Sequence, residues 1–213
     1  YRRQIYRKLY PLPTMHLLNL LQINTVLLLL FFSRLAMTDA AFIDTYETDK
    51  EVFDIPGFGE LHIEIPRLWN YNFTKSDSVT PPVITFYVLD SDEAEIFQLN
   101  MSIFWDQGYR RNVTSNDYIK SMVETSGQQA LALSDETELV LQPIETETGN
   151  GYFFDLSDSS AGKGEFRYLS QGAVSANNIL IVFALFSNDA EGILKRAMFH
   201  SLNTARHETR KDV

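Results

Sequence analysis

The sequence contains no cysteine and only four histidines among its 213 residues. The absence of cysteine excludes disulfide bonds, thiol nucleophiles and zinc sites with thiolate ligands. It also excludes a lipid anchor on an N-terminal cysteine. Because 45% of the residues are hydrophobic and 13% are aromatic, an apolar core must supply the stability that disulfides would otherwise add.

Positive charge is also scarce. The chain has 18 basic and 28 acidic residues and a net charge of −10. Several of the basic residues, Arg2, Arg3, Arg7, Lys8 and Arg34, fall in the first 40 positions, so the remainder is more acidic still. Such a chain repels phosphate backbones and anionic lipid headgroups, and we expect no nucleic-acid partner.

One apolar stretch, Leu17–Phe32, carries no charge. Its densest part has the length of a signal-peptide hydrophobic region, and the stretch is shorter than the ~20 residues that a transmembrane helix needs. A candidate cleavage site lies at Thr38-Asp39-Ala40. We interpret 1–40 as a signal peptide with an upstream extension, which predicts an exported protein, periplasmic or secreted, with no stable membrane insertion after cleavage. An uncleaved anchor and a hydrophobic helix of the domain are the alternatives.

The remaining chain is long enough for one domain with its own core. We predict an extended arm over 41–51, a single domain over 52–206 and a charged tail over 207–213. Period-two patterns and turn residues predict strands at Val52–Ile55, Glu60–Ile65, Val83–Leu89, Glu95–Trp105, Glu138–Glu145, Gly151–Leu156, Glu165–Gln171 and Ile179–Phe186.

Two segments have a helical period instead. One runs from about Asn116 to Ser126, with Ser115 or Asn116 as N-cap and Gly127 near its end; the other carries an apolar stripe that includes Leu194 and Leu202. Consecutive strands, a helix, consecutive strands and a helix predict the α+β class, with a twisted antiparallel sheet flanked by helices.

The strand Glu95–Trp105 has the clearest alternation. Its odd-numbered residues from Phe97 to Trp105 are apolar, whereas Gln98, Asn100 and Ser102 share the other face. One face should therefore be core, and the other should meet water or a polar layer. Ile179–Phe186 is apolar on both faces, which predicts a central strand, and Pro143 predicts an edge strand.

Several segments resemble a known family. They are Gly151–Phe154, Gly164, Tyr168–Gly172, Leu180–Phe186 and the helix with Ala197, Met198 and Leu202, together with Ile63–Pro66 and Trp69 earlier in the chain. Over about residues 52–205 the chain is similar to the PsbP-like superfamily, including bacterial exported proteins similar to DcrB. The resemblance implies a twisted antiparallel sheet flanked by helices, and an accessory or binding role without catalysis. Bacterial relatives are often lipoproteins, and the lack of cysteine departs from that pattern.

Motifs that would carry catalysis or cofactor binding are missing from the sequence. There is no Gly-x-Ser-x-Gly, and the loop Ser159–Gly164 lacks the hydroxyl after its Gly-Lys pair that a phosphate loop needs. We predict no catalytic residues, no cofactor and no dedicated metal ligands.

A few residues remain as weak candidates for contact with a ligand or partner. His62 and Glu64 should share one face of a strand, where they could hold a metal or exchange protons, although a solvent-facing pair is the simpler interpretation. Asp90 and Asp92 begin an acidic turn that shares only its Asp-x-Asp start with calcium loops. Trp69 could anchor a partner, but aromatic residues at period two more often pack in a core.

These observations favour an exported, non-enzymatic binding or accessory protein with an unknown protein partner or small ligand. One alternative is a hydrolase-type enzyme whose site is assembled from scattered residues, with His62, Glu64 and Asp155 as candidates. Another is an accessory subunit that binds metal through the turn Asp90–Glu95.

Overall fold

The order of elements follows the predicted one, with two additional strands, Asn70–Thr74 and Arg206–Glu208. The computed structural model describes residues 47–75, 81–91, 95–106 and 112–209, all within one compact unit, Arg34–Val213. Strands and helices in these ranges are β1 (Thr48–Ile55), β2 (Gly59–Pro66), β3 (Asn70–Thr74), β4 (Val83–Leu89), β5 (Glu95–Trp105), α1 (Asn116–Leu131), β6 (Gln142–Glu145), β7 (Asn150–Ser157), β8 (Tyr168–Ala176), β9 (Ile179–Ser187), α2 (Ile193–Thr204) and β10 (Arg206–Glu208). The predicted signal peptide, 1–40, lies outside the described residues and stays a prediction.

The strands form two antiparallel sheets. The large sheet has seven strands in the order β3-β4-β5-β9-β8-β7-β6, and the small sheet has three in the order β1-β2-β10. This confirms the α+β class with antiparallel strands and flanking helices. The expectation of one sheet was incomplete, because the hairpin β1–β2 pairs with the C-terminal strand β10 and not with the large sheet.

The main core lies between one face of the large sheet and the elements that cover it. The small sheet contributes Phe53, which meets Phe86 edge to face with the ring centroids 6.4 Å apart. Helix α2 contributes Phe199, which meets Phe153 with the centroids 4.8 Å apart. The buried residues of this layer include Ile55, Leu61, Ile63, Ile65, Trp69, Leu99, Met101, Phe183, Leu194, Met198 and Leu202. The predicted alternation of β2 and β5 is therefore confirmed on their apolar sides.

Helix α1 covers part of the opposite face. The Ser115 hydroxyl accepts a hydrogen bond from the backbone N–H of Tyr118 at 3.4 Å, as an N-cap does, so the predicted start is confirmed. Its buried residues are Ile119, Val123, Gly127 and Ala130, and they pack with Phe154, Leu156, Ala173, Leu180 and Val182. The cover on this face therefore lies mainly over β7, β8 and part of β9.

Several predicted boundaries were wrong. Strand β8 was placed at Glu165–Gln171, but it runs to Ala176, because the small residues after Gln171 pair with β9 and do not form a loop. The connection to β9 is only Asn177-Asn178, and Asn177 adopts a positive φ of 56°, which suits a tight hairpin. The predicted strand Glu138–Glu145 shortens to β6, and Pro143 lies in an edge strand as predicted.

Regular structure extends beyond both predicted limits of the domain, 52 and 206. Thr48–Glu51 of the predicted arm belongs to β1, because those residues pair with β2 up to Pro66. The predicted charged tail begins inside β10, where His207 pairs with Leu61 and is buried. Backbone pairing with β2 orders these segments although their side-chain composition is polar.

Gly127 does not end helix α1, which continues to Leu131. A Cβ atom at this glycine would lie 2.7 Å from the Leu139 methyl groups and 3.0 Å from the Phe154 ring. The missing side chain therefore allows the helix to approach the sheet closely.

We predict that Gly127→Leu lowers the free energy of unfolding by about 1–3 kcal/mol, because the added side chain overpacks this contact. Chemical denaturation followed by circular dichroism measures the change. Gln128→Leu, at the exposed next position, is the matched control and should change it by no more than about 0.5 kcal/mol. Equal effects of the two substitutions would contradict close packing at Gly127.

His207 connects three parts of the fold. Its ring stacks on Phe58, with the centroids 4.8 Å apart, and Phe58 stacks in turn on Trp105. Ring atom Nε2 lies 3.2 Å from the Phe58 carbonyl oxygen, and Nδ1 contacts the side chain of Asn178. Burial lowers the pKa of His207 below its ordinary value of 6.5, although the hydrogen bond to Phe58 opposes this effect.

We predict that the protein loses stability as the pH falls below about 6.5. The unfolded chain binds the His207 proton at a higher pH than the folded chain does, so this contribution is complete above that pH and is lost as the pH falls toward the folded-state pKa. Urea unfolding between pH 7.5 and 5.5 should show this slope. It should be shallower in His207→Gln and unchanged in His200→Gln, whose side chain is exposed. An unchanged slope in His207→Gln would exclude His207 as its origin.

Candidate functional site

His62 and Glu64 lie on the outer face of the small sheet, as the strand pattern predicted, but they have different partners. His62 Nε2 lies 3.5 Å from Glu60 and 3.7 Å from Glu208, both at ion-pair distances. Glu64 lies 3.6 Å from Lys50 and accepts a hydrogen bond from Thr48 at 3.4 Å. The contacts therefore divide the predicted pair between two separate charge clusters.

The two carboxylates around His62 are open to solvent, whereas Nε2 of His62 is buried. A hydrogen bond from Arg206 and the charge of His62 lower the pKa of Glu208, whose side chain is more than half exposed. In the described part of the chain, no group of three or more His, Asp or Glu side chains could hold a metal ion. The arrangement around His62 is that of a charged sheet surface.

The remaining weak candidates are not brought together either. Trp69 is buried against Phe97, with the ring centroids 4.9 Å apart. Asp90 follows the end of β4, whereas Asp92 lies outside the described residues, so a metal site in this turn stays a prediction. At the end of the turn, burial raises the pKa of the Glu95 carboxyl.

Asp155 accepts hydrogen bonds from three side chains. Lys195 Nζ reaches it from α2 at 3.0 Å, Gln142 Nε2 reaches it from β6 at 3.2 Å, and the buried Ser170 hydroxyl donates from β8. This cluster ties α2 to the large sheet. None of these polar contacts involves His62 or Glu64, so the three residues of the enzyme hypothesis do not form one unit.

A different polar group occupies the face of the large sheet on which α1 packs. Cross-strand pairing places Asn72, Thr85, Asn100, Ala184, Gln171 and Phe154 in one row across six strands. Residues two positions away along each strand lie on the same face. Ala184 is therefore the centre of a three-by-three grid whose other members are Gln98, Phe186, Leu169, Asn100, Gln171, Ser102, Val182 and Ala173.

The two amides beside Ala184 are buried. Asn100 is 4% exposed and Gln171 is 5% exposed. The Asn100 carbonyl oxygen Oδ1 accepts hydrogen bonds from the Thr85 hydroxyl at 2.8 Å and from Gln98 Nε2 at 3.2 Å. Among the residues that the structure describes, its nitrogen Nδ2 has no hydrogen-bond partner, and neither does the Gln171 oxygen Oε1. Such orphaned buried groups are uncommon and costly, at about 1–3 kcal/mol each.

Ala184 lies between these two amides. The residue is half-buried, whereas its same-face neighbours Val182 and Phe186 are 6% and 7% exposed. Ala184 is the small residue at the centre of the grid, and part of its surface is accessible. We call this part of the face the amide groove, defined by Asn100, Ala184, Gln171, Val182 and Phe186.

The accessible part of the amide groove is the apolar surface of Ala184. Asn100 Nδ2 and Gln171 Oε1 have almost no accessible surface, so neither atom is open to a ligand in this structure. None of the five residues that define the groove is titratable.

The sequence pattern revealed only half of this site. The polar face of β5, with Gln98, Asn100 and Ser102, was predicted and is confirmed as a buried polar layer. Gln171 and Ala184 were missed, because one was placed at a strand end and the other lies in a wholly apolar segment. A polar stripe on a central strand was the one available signal.

No protein-family model matches the chain, and no curated protein matches it. Among solved structures, the chain is similar to the solution structure of cyanobacterial PsbP (CyanoP) from Synechocystis sp. PCC 6803, with 13% identity over 82% of this chain and 99% of that chain and a TM-score of 0.47. A crystal structure from Bacteroides thetaiotaomicron VPI-5482 is similar at 13% identity over 71% of this chain and 46% of that chain, with a TM-score of 0.40.

A likeness to a PsbP structure is what the sequence resemblance predicted, whereas the narrower resemblance to proteins similar to DcrB stays a prediction. At this identity no residue role is carried over from either structure. In the described ranges, no helix is long and apolar enough to cross a membrane.

The Asp155 cluster gives a test of how α2 is held. We predict that Lys195→Met lowers the free energy of unfolding by less than about 1 kcal/mol, because about a third of each partner's side chain is exposed to solvent. Asp155→Leu should cost about 1–3 kcal/mol, because it leaves the buried Ser170 hydroxyl without an acceptor. Urea denaturation compares the two variants, and a larger loss in Lys195→Met would contradict the assignment of Asp155 as the central acceptor.

Proposed function

We propose that this chain is a non-enzymatic binding protein whose ligand contacts the amide groove. The observation that carries the proposal is the partly exposed Ala184, which lies between buried side chains on one face of the large sheet. A ligand that covers Ala184 would remove apolar surface from water.

The separation of the charged clusters supports a binding function over a catalytic one. His62, Glu64 and Asp155 are bound to separate partners, so a proton-transfer unit would need all three to exchange those partners. The apolar segment Leu17–Phe32 supports export, which would place the groove in contact with extracytoplasmic solutes.

Equilibrium dialysis of the full chain tests this function. The protein is dialysed against a small-molecule extract of the cells that produce it, and mass spectrometry compares the two compartments. We expect at least one compound to be enriched on the protein side. Ala184→Leu, which fills the groove, should abolish that enrichment.

The matched control is Ala190→Leu, which makes the same change at an exposed loop position and should retain the enrichment. Equal enrichment by Ala184→Leu and by the unchanged chain would contradict the assignment of the groove as the binding site. The same conclusion would follow if none of the three proteins enriched any compound. Conversion of a compound to a product, lost on substitution of His62 or Asp155, would instead favour the hydrolase-type alternative.

A further inference from the structure

Each of the two sheets has two edge strands, and one of the four differs from the others. Strands β1 and β10 form the edges of the small sheet, and β3 and β6 form the edges of the large sheet. Strands β1 and β10 contain charged residues, and β6 contains Pro143 and Glu145. Strand β3, Asn70–Thr74, contains neither charge nor proline. Charge and proline on an edge strand hinder pairing with a second chain, so β3 is the edge that lacks this protection.

Strand β3 is paired on one side. Its inner edge pairs with β4 over five residue pairs, from Asn70 with Tyr87 to Thr74 with Val83. Among the residues that the structure describes, no backbone hydrogen bond reaches the outer edge of β3. Four of its five residues are exposed, and Phe73 is half-buried. An antiparallel edge of this kind presents N–H and C=O groups with which a further strand can pair.

Tyr71 leaves apolar surface at this edge. Its ring packs edge to face on Phe53, with the centroids 5.1 Å apart, and its hydroxyl donates a hydrogen bond to Glu51 at 2.9 Å. The residue is nevertheless 39% exposed. The ring is therefore held in place by its own chain, and a partner that covers it would remove apolar surface from water.

The sequence of β3 matches itself when two copies pair antiparallel about Asn72. This register places Asn72 opposite its counterpart, Tyr71 opposite Phe73, and Asn70 opposite Thr74. Because successive strand residues alternate between faces, aromatic rings meet on one face, and amide and hydroxyl groups meet on the other. Aromatic pairs and hydrogen-bonding pairs across strands both stabilise a sheet. The strand therefore has the side chains that a second copy of itself requires.

The charge of the chain favours the same contact. With a net charge of −10, two copies repel each other over most of their surfaces. In the register about Asn72, the five positions of β3 place no like charges opposite one another. The charge that follows the strand, Lys75, lies 3.7 Å from Asp54 of its own chain. Two acidic copies can therefore approach along β3 without opposing like charges within the strand.

We propose that β3 is a self-association edge, through which two copies of this chain pair antiparallel in the register about Asn72. The two large sheets then become one continuous sheet. Such a two-fold contact is closed, because both copies use the same surface. One short strand buries less area than a stable complex needs, so the dimer is weak and depends on the protein concentration. This inference goes beyond the proposed function, since it involves none of the residues that define the amide groove.

Sedimentation velocity of the full chain over a range of protein concentrations tests the proposal. We expect a reversible dimer whose dissociation constant falls as the salt concentration rises, because salt screens the repulsion between two acidic copies. A chain that remains monomeric up to its solubility limit at every salt concentration would overturn the proposal.

Asn72→Asp and Asn72→Lys test the register. Asn72 is exposed, so both variants should fold, and circular dichroism checks this. Each places two like charges directly opposite one another at the two-fold axis, which should weaken association by at least about tenfold. An equimolar mixture of the two variants places opposite charges there and should associate more tightly than either variant alone.

Asn116→Asp, which makes the same charge change at an exposed position of α1, is the matched control and should associate like the unchanged chain. Association through another segment would be equally strong in Asn72→Asp and in this control, and that result would overturn the assignment of β3. A mixture of Asn72→Asp and Asn72→Lys that associates no better than either variant alone would overturn the register about Asn72.

Discussion

The pairing of β5 with β9 is the constraint on which the rest of the structure depends. Nine consecutive residue pairs join the two strands, from Phe97 with Ser187 to Trp105 with Ile179. Because Ile179–Phe186 is apolar throughout, both faces of the sheet need cover around this pair. On one face the small sheet and α2 supply this cover. The contacts of His207 with Phe58 and Asn178 hold β10 at the edge of the small sheet. On the other face α1 supplies the cover over β7 and β8, and Ala184 is partly exposed.

The amide groove lies on the face of the large sheet that α1 contacts. The grid around Ala184 has buried amides where the opposite face of the same strands has Leu99, Met101 and Phe183. Apolar side chains in place of Asn100 and Gln171 would avoid two orphaned polar atoms.

Short sequence patterns predicted those features of the fold that depend on residues within one strand or helix. The alternation of β2 and β5, the Ser115 cap and the edge position of Pro143 are such cases. The extension of α1 past Gly127 and of β8 past Gln171 depends on contacts with distant residues, and small side chains resemble loop composition until those contacts are known. The candidate site was harder to predict. Asn100, Ala184 and Gln171 are neighbours only because of the pairing register of β5, β9 and β8, and β5 is distant in the chain from the other two strands.

The most direct test of the central claim is an experimental crystal structure of the full chain. The account predicts that β5 pairs with β9 in the register that places Ala184 between the buried side chains of Asn100 and Gln171, and that part of the Ala184 surface is accessible. A different register, or an Ala184 that another part of the chain covers, would contradict it.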